Sequence, residues 1–431
     1  MIGTGIFTVP AFVRAAAGSS PAALAVWMTG AVLALCGTLT YAELATRMPQ
    51  AGGEYHFLAR VYGPMWGFLS GWVSFVVGFS AAAAASSLAA VAYAAELLPF
   101  WAPEQPLLGG PISQGAVVAA MLILALAVYH CAGVRGSGLL QSCLAFLGLG
   151  AVVLLVVFGF ASGRGDWHGV IASSRQSGSW WVALIQVTFA YSGWNAAAYV
   201  AGEVKNPARN LPRALLGGTI LVALAYLALN VLFFYALPEP QWQSEIAVGF
   251  FAAERLFGAA GARAVTALIA LAIFGSVSAM MAAGPRVYYA MARDGLGLPG
   301  FDRLGKRSQA PVLAIMAQAV VAAILALTGA FGALLTYIGS SLLLFTGLAV
   351  GSIYLVRRRR GDEMGKSLAF RVPGYPVTPA VYVVLVLAAL VNGFIDQPVP
   401  TGAAFITVGV GGLVYGEARR RGWLSPDWQD R

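Results

Sequence analysis

The sequence predicts an all-α polytopic membrane protein, and three observations carry that prediction. Of 431 residues, 59% are hydrophobic and only 10% are charged, which is more apolar surface than a soluble domain of this length can bury. Uncharged apolar runs near the ~20 residues that cross a bilayer recur along the chain, as in Gln114 to Val128 and Leu144 to Ala161. They are evenly spread, so no separate soluble domain fits and residues 1–431 read as one transmembrane unit.

Apolar windows read against Gly, Pro and charge boundaries place spans near 5–17, 21–46, 64–98, 113–131, 138–162, 179–204, 212–236, 262–292, 310–328, 331–356, 375–394 and 399–416. The first is too short to cross, and the other eleven are long enough. Between them the longest loops, at 44–63, 99–112, 163–178, 238–261 and 293–309, are too small for a nucleotide-binding domain. With the loop from Glu43 to Arg60 in the cytoplasm, alternate loops gather 21 of the 26 Lys and Arg residues on one side, Arg357 to Arg360 among them. Arg14, Arg164, Arg175, Arg255 and Arg263 fall on the other. That asymmetry is the positive-inside pattern, and it puts the protein in the cytoplasmic membrane with its C-terminus in the cytoplasm.

Several function classes fall away. The net charge of +9 lies in short pieces between apolar spans rather than on one face, so it reads as membrane orientation and not as a nucleic-acid surface. No Gly-x-x-x-x-Gly-Lys-Ser/Thr, Gly-x-Ser-x-Gly or His-Glu-x-x-His motif occurs, and His56, His130 and His168 are far apart in the topology. ATP use in cis, hydrolytic chemistry and any enzyme reading are disfavoured. Cys36, Cys131 and Cys143 have neither metal-site spacing nor an obvious disulfide mate, so they read as packing residues and no metal or cofactor is expected. Met1-Ile-Gly-Thr-Gly has no basic leader region, so no cleavable signal peptide is expected.

Two spans carry glycine interruptions: Gly3-Thr4-Gly5 in the first and Ser192-Gly193 in the sixth. A helix broken at mid-depth leaves backbone groups that cost several kcal/mol each unless protein, water or ligand satisfies them. The first N–H groups of a half-helix attract a carboxylate, while freed carbonyls of an unwound turn accept from an ammonium. Together they form a receptor for a zwitterion. Close helix packing through small residues is the alternative for each glycine alone; the placement in spans one and six, as in a five-span inverted repeat, favours binding.

At these residues the chain resembles the amino acid-polyamine-organocation superfamily, in the branch of L-type amino acid transporters and bacterial serine/threonine exchangers. Gly3-Thr4-Gly5-Ile6-Phe7, Tyr41-Ala42-Glu43-Leu44, Pro49-Gln50-Ala51-Gly52-Gly53-Glu54-Tyr55, Phe189-Ala190-Tyr191-Ser192-Gly193-Trp194-Asn195, Glu203-Val204-Lys205-Asn206-Pro207 and Arg209-Asn210-Leu211-Pro212 carry the similarity. It implies a leucine-transporter-type five-plus-five inverted repeat, repeat one over 1–163 and repeat two over 178–357, with discontinuous first and sixth helices and two additional helices over 374–416.

By the same resemblance the substrate carboxylate meets the N–H groups of Thr4, Gly5 and Ile6, and the ammonium meets carbonyls around Met1, Phe189, Ala190 and Ser192 beside Gly193. Phe189 matches an aromatic gate, Asn195 occupies a pocket position, and Met280 falls on the pocket wall, though helix packing is the better reading of Met280. Three departures stand out. The chain begins at the first break, so half of helix 1 is absent from it and a start upstream is expected. Gly148 replaces a lysine of proton-coupled members, which favours exchange. Ala198 replaces an asparagine, which weakens any inference to large neutral substrates.

Asn195 stands where cation-carrying relatives place an acid, so a neutral side chain is expected of the substrate. The run from Ser80 to Ala90 is almost all Ala and Ser, suited to close packing. Glu43, Glu54 and Glu203 lie at cytoplasmic span ends, where pairing with Arg47, Arg60, Lys205 or Arg209 either gates or anchors helix ends. Arg357 to Arg360 read as a topology determinant rather than a lipid-headgroup site. The expected function is secondary active or exchange transport of small neutral amino acids by alternating access, with membrane lipid and the amino acid as partners and no nucleic acid. A carrier of cationic amino acids or polyamines, or a non-transporting amino acid sensor, are the alternatives. The sequence names neither oligomeric state nor accessory subunit.

Overall fold

A computed structural model describes residues 2–48, 52–98, 100–133, 137–172, 178–199, 201, 204–238, 246–360 and 370–424. They form fifteen helices and, among the described residues, no strand. In order these are α1 (Thr4–Ala17), α2 (Ser20–Arg47), α3 (Glu54–Tyr62), α4 (Pro64–Glu96), α5 (Gln114–Cys131), α6 (Ser137–Ala161), α7 (His168–Ile171) and α8 (Trp180–Tyr191). There follow α9 (Ala196–Tyr199), α10 (Pro207–Ala236), α11 (Val248–Arg293), α12 (Val312–Leu327), α13 (Phe331–Arg360), α14 (Val377–Asp396) and α15 (Pro398–Arg420).

The boundaries follow local chemistry. Ser19, Ser113 and Ser179 cap α2, α5 and α8 by accepting from the N–H of Ala22, Ala116 and Val182, relieving one first-turn donor each. Gly18 ends α1 at φ +80 and returns its N–H to the Arg14 carbonyl, the left-handed stop that glycine makes without strain. Within α4 the backbone widens to a π-helix over Ser74–Ala81, where Ser80 Oγ donates to the Phe75 carbonyl at 2.6 Å.

Nine described helices are long and apolar enough to cross a membrane, and α1, α8 and α12 are shorter apolar helices. The sixth span breaks at its glycine interruption, α8 stopping at Tyr191, and the ninth span, read over 310–328, is the sixteen-residue helix Val312–Leu327. One loop reading needs correction. The 238–261 loop is helical from Val248, and α11 runs through a break in helical geometry at Gly258.

Burial separates centre from rim. In their most apolar stretches α4 and α13 are 72% buried, whereas α15 is 22% buried and shows Ile406 and Leu413 outward, the surface of a helix solvated by lipid. At the centre α8 packs on α1, α2, α13 and α14, α10 lies along α2, and α11 lies against α4 and α6. The length and apolarity of these helices make the chain an integral membrane protein.

Candidate functional site

Gly3 precedes α1 in an extended conformation and is buried; a Cβ there would lie 2.6 Å from Ser276 Oγ. The chain enters the bundle core at the point where α1 begins. The N–H groups of Thr4, Gly5 and Ile6 therefore lie in a first helical turn, which leaves such donors without intrahelical acceptors, and all three residues are buried. Thr4 Oγ1 is buried with no hydrogen-bond partner among the described residues, although its carbonyl accepts from Thr8 Oγ1 at 2.9 Å. An orphaned hydroxyl beside unsatisfied amides is an unfinished hydrogen-bonding surface.

Against this end lies the broken sixth span. A Cβ on Gly5 would fall 2.4 Å from the Ala190 Cα, so the backbones of α1 and α8 touch there. The break itself covers Ser192 to Asn195. Ser192 turns to ψ 150 and Gly193 takes φ +88, a left-handed geometry that costs a side-chain-bearing residue about 1–2 kcal/mol. Helical bonding is replaced by turns: the Ser192 N–H donates to the Phe189 carbonyl and the Ala196 N–H to the Gly193 carbonyl, each at 3.1 Å. Ser192's own carbonyl is left without a backbone partner among the described residues.

The carbonyls expected to meet an ammonium are thus unequally free. Phe189's is taken by the Ser192 N–H, and Ala190's accepts from Tyr226 Oη of α10 at 3.2 Å. Phe189 and Ala190 are themselves buried against the core. Met1 and Glu203 lie outside the described residues.

Beside the break a small pocket opens between α2, α8, α13 and α14. Ser192, Gly193, Trp194 and Asn195 form one wall, with Thr188, Thr346 and Tyr382 supplying further polar groups; no Asp, Glu, Lys or Arg lines it. Thr4, Gly5, Ile6, Phe189, Ala190 and Met280 are not among its lining residues; Met280 sits on α11 facing α4. Ser86 Oγ donates to its sulfur at 3.9 Å and Gln318 Nε2 to its carbonyl at 3.0 Å. Gly148 faces Ile2 and Ala272, so the position that departs from the lysine-bearing pattern does look toward the start of α1.

The acids expected at the cytoplasmic span ends divide sharply. Glu43 is fully buried and accepts from Arg47 at 2.7 Å, from Arg357 Nη2 at 2.5 Å and Nε at 3.0 Å, and from the Val372 N–H at 2.8 Å. Arg357 also lies over the Tyr375 ring, 3.8 Å from its centroid. Sequence reasoning assigned Arg357 to topology and missed this clamp, which joins residues more than three hundred positions apart. Glu54 corrects the expectation of an arginine partner: its Oε2 accepts from Tyr41 Oη at 2.6 Å, and no ion pair reaches it among the described residues. Among those residues no cluster of three or more His, Cys, Asp or Glu could hold a metal.

Fold and site together define an integral membrane protein whose sixth span breaks beside the amino end of its first helix. The model of the amino acid permease family matches residues 1–415, and the chain belongs to that family, one of membrane transporters for amino acids. It is similar to the serine/threonine exchanger SteT of Bacillus subtilis (strain 168), 30% identical over 98% of this chain and 94% of that one. It is also similar to the human cystine/glutamate transporter, 30% identical over 96% of this chain and 81% of the relative. The large neutral amino acids transporter small subunit 2 of Mus musculus is 27% identical over the full chain and 79% of the relative.

Proposed function

We propose that this permease exchanges small neutral amino acids across the cytoplasmic membrane by alternating access around the α1 start and the Ser192–Asn195 break. The observation that carries the reading is the contact of α1's unsatisfied first turn, with its orphaned Thr4 hydroxyl, against a helix that ends in mid-span. The N–H groups of Thr4, Gly5 and Ile6 and the Thr4 hydroxyl receive the carboxylate. Ser192's carbonyl receives the ammonium first, with the second lone pairs of Phe189 and Ala190; the expected part of Met1 falls outside the described residues. Preorganised dipoles suit this because water is excluded and the donors need not be desolvated anew.

The uncharged wall of the pocket supports a neutral side chain over a cationic one, because a buried lysine or polyamine nitrogen would lack an acid partner. Exchange is supported by Gly148 and by the name of the Bacillus relative, a serine/threonine exchanger. Phe189 closes over the solute, and Glu43 with Glu203 holds the cytoplasmic side. Residues 1–163 and 178–357 act as inverted repeats with 374–416 appended, and the Lys and Arg distribution supports a cytoplasmic C-terminus.

The test is counterflow in proteoliposomes loaded with unlabelled serine, alanine, leucine, lysine or putrescine. The reading expects labelled neutral amino acid to enter without an ion gradient; uptake of lysine or putrescine alone selects a cationic carrier, and binding without saturable uptake selects a sensor.

A further inference from the structure

Glu54 is the one carboxyl in the described core that the transport reading leaves unused, and its surroundings are unusual for an acid. It opens α3 and is 6% exposed. Tyr41 from α2 donates to it at 2.6 Å, and Ser70 of α4 and the phenols of Tyr199 and Tyr382 face it from α4, α9 and α14. The cations of the neighbouring elements are committed elsewhere. Arg47 and Arg357 bind Glu43, Arg359 of α13 donates to the Val61 carbonyl at 2.9 Å, and Arg60 on α3 is exposed. On the same helix Tyr55 donates to Asp294 at 2.5 Å, and burial with Arg60 pushes His56 down to about 4, so that it is neutral. An ionised carboxylate is costly in a site that, among the described residues, offers hydroxyls and no cation.

The lid over this carboxyl belongs to the broken span. Trp194, inside the break, stands edge-on to Tyr41 with ring centroids 4.7 Å apart. Gly52 N–H donates to the Tyr199 carbonyl at 3.1 Å, and a Cβ on Gly53 would come within 2.9 Å of the Tyr199 ring. Tyr199 faces Glu54 from α9, so α9 supplies one wall of the enclosure.

We propose that the Glu54 carboxyl is a proton-binding site that acid fills while α9 covers it and that empties when the cytoplasmic side of the pathway opens. The occupancy follows from the enclosure alone; its coupling to opening rests on the alternating-access reading above. Burial pushes Glu54 up to about 7, against the lowering effect of the Tyr41 hydrogen bond, while an uncovered carboxyl returns toward its ordinary value. Above pH 7 the group is ionised in both forms, and pH then has little effect on their balance. Between about 7 and the ordinary carboxylate range, acid protonates the covered form preferentially and holds it shut. With those two limits the covered form gains about 20-fold over the open one between pH 7.5 and pH 5.5.

The experiment pairs infrared difference spectroscopy with counterflow, using the full chain in lipid nanodiscs and proteoliposomes from pH 5.5 to 8.5. The expected result is a protonated-carboxyl band titrating near neutrality in wild type and missing in Glu54→Gln. Wild-type counterflow falls up to about 20-fold toward acid, whereas Glu54→Gln is flat at the acidic level. Tyr41→Phe, having lost a donor to the charged form, shifts both midpoints to higher pH. A wild-type spectrum without that band, or a band unchanged in Glu54→Gln, overturns the proton site. A wild-type-like pH profile in Glu54→Gln overturns its coupling to opening. A band that titrates as expected in a protein with no amino acid counterflow at any pH upholds the site and overturns the transport reading instead.

Discussion

Replacing Gly5 by alanine adds one methyl group at the point where α1 and α8 touch. The new Cβ would lie 2.4 Å from the Ala190 Cα and 2.9 Å from its Cβ. Carbon atoms pack at about 3.5–4.0 Å, so the two helices must part by roughly 1 Å. The first of the atoms met is backbone, so no side-chain rotation relieves the clash. Overpacking of this kind costs about 1–3 kcal/mol, which at 1.4 kcal/mol per decade is about 5- to 150-fold. Because Gly5 is helical, the loss comes from displaced geometry rather than backbone strain. Gly150→Ala is the control, as nothing lies within 4 Å of its Cβ position. Initial rates of neutral amino acid counterflow, normalised to inserted protein, are expected to drop by that factor in Gly5→Ala and to hold in Gly150→Ala. Gly5→Leu is expected to abolish counterflow with the protein still inserted. Wild-type rates in Gly5→Ala would refute the carboxylate site at the start of α1.

Three further outcomes are expected. Thr4→Val removes a hydroxyl that has no partner in the protein alone, so melting temperature should hold or rise while the apparent KM for substrate increases by about 2- to 10-fold, the worth of one hydrogen bond; an unchanged KM contradicts the assignment. Gly193→Ala forces a side chain into φ +88, with about 1–2 kcal/mol of strain that should slow counterflow and make the break less favourable; a wild-type rate argues against a fixed turn. Glu43→Gln breaks a buried carboxylate away from Arg47 and Arg357, at about 3–5 kcal/mol, and should lower the temperature at which detergent-solubilised protein loses its monodisperse form, whereas an unshifted transition would mean that the clamp is dispensable.

Most of the helical plan was legible in the sequence because lipid imposes a length and a composition on each span. The interruption at Ser192-Gly193 was legible for the related reason that glycine is placed where a helix bends away from regular bonding. Less legible was anything decided by contacts between distant segments. No local pattern pairs Arg357 with Glu43, or gives the Ala190 carbonyl to Tyr226. Glu54 shows the limit most clearly, since a glutamate among arginines in the sequence reads as half of an ion pair, while packing turns those arginines toward Glu43, Val61 or solvent and leaves the carboxyl with a phenol. The early start of α11 was missed because Glu254 and Arg255 make its first turns look like loop.

The central claim is that backbone dipoles at the α1 start and the Ser192–Asn195 break recognise both charged ends of an amino acid. The most direct measurement is competition against labelled serine or alanine counterflow by the same amino acid, its methyl ester and its N-acetyl derivative. The account predicts that only the compound with a free carboxylate and a free ammonium competes. Equal competition by the ester or the N-acetyl compound would contradict it.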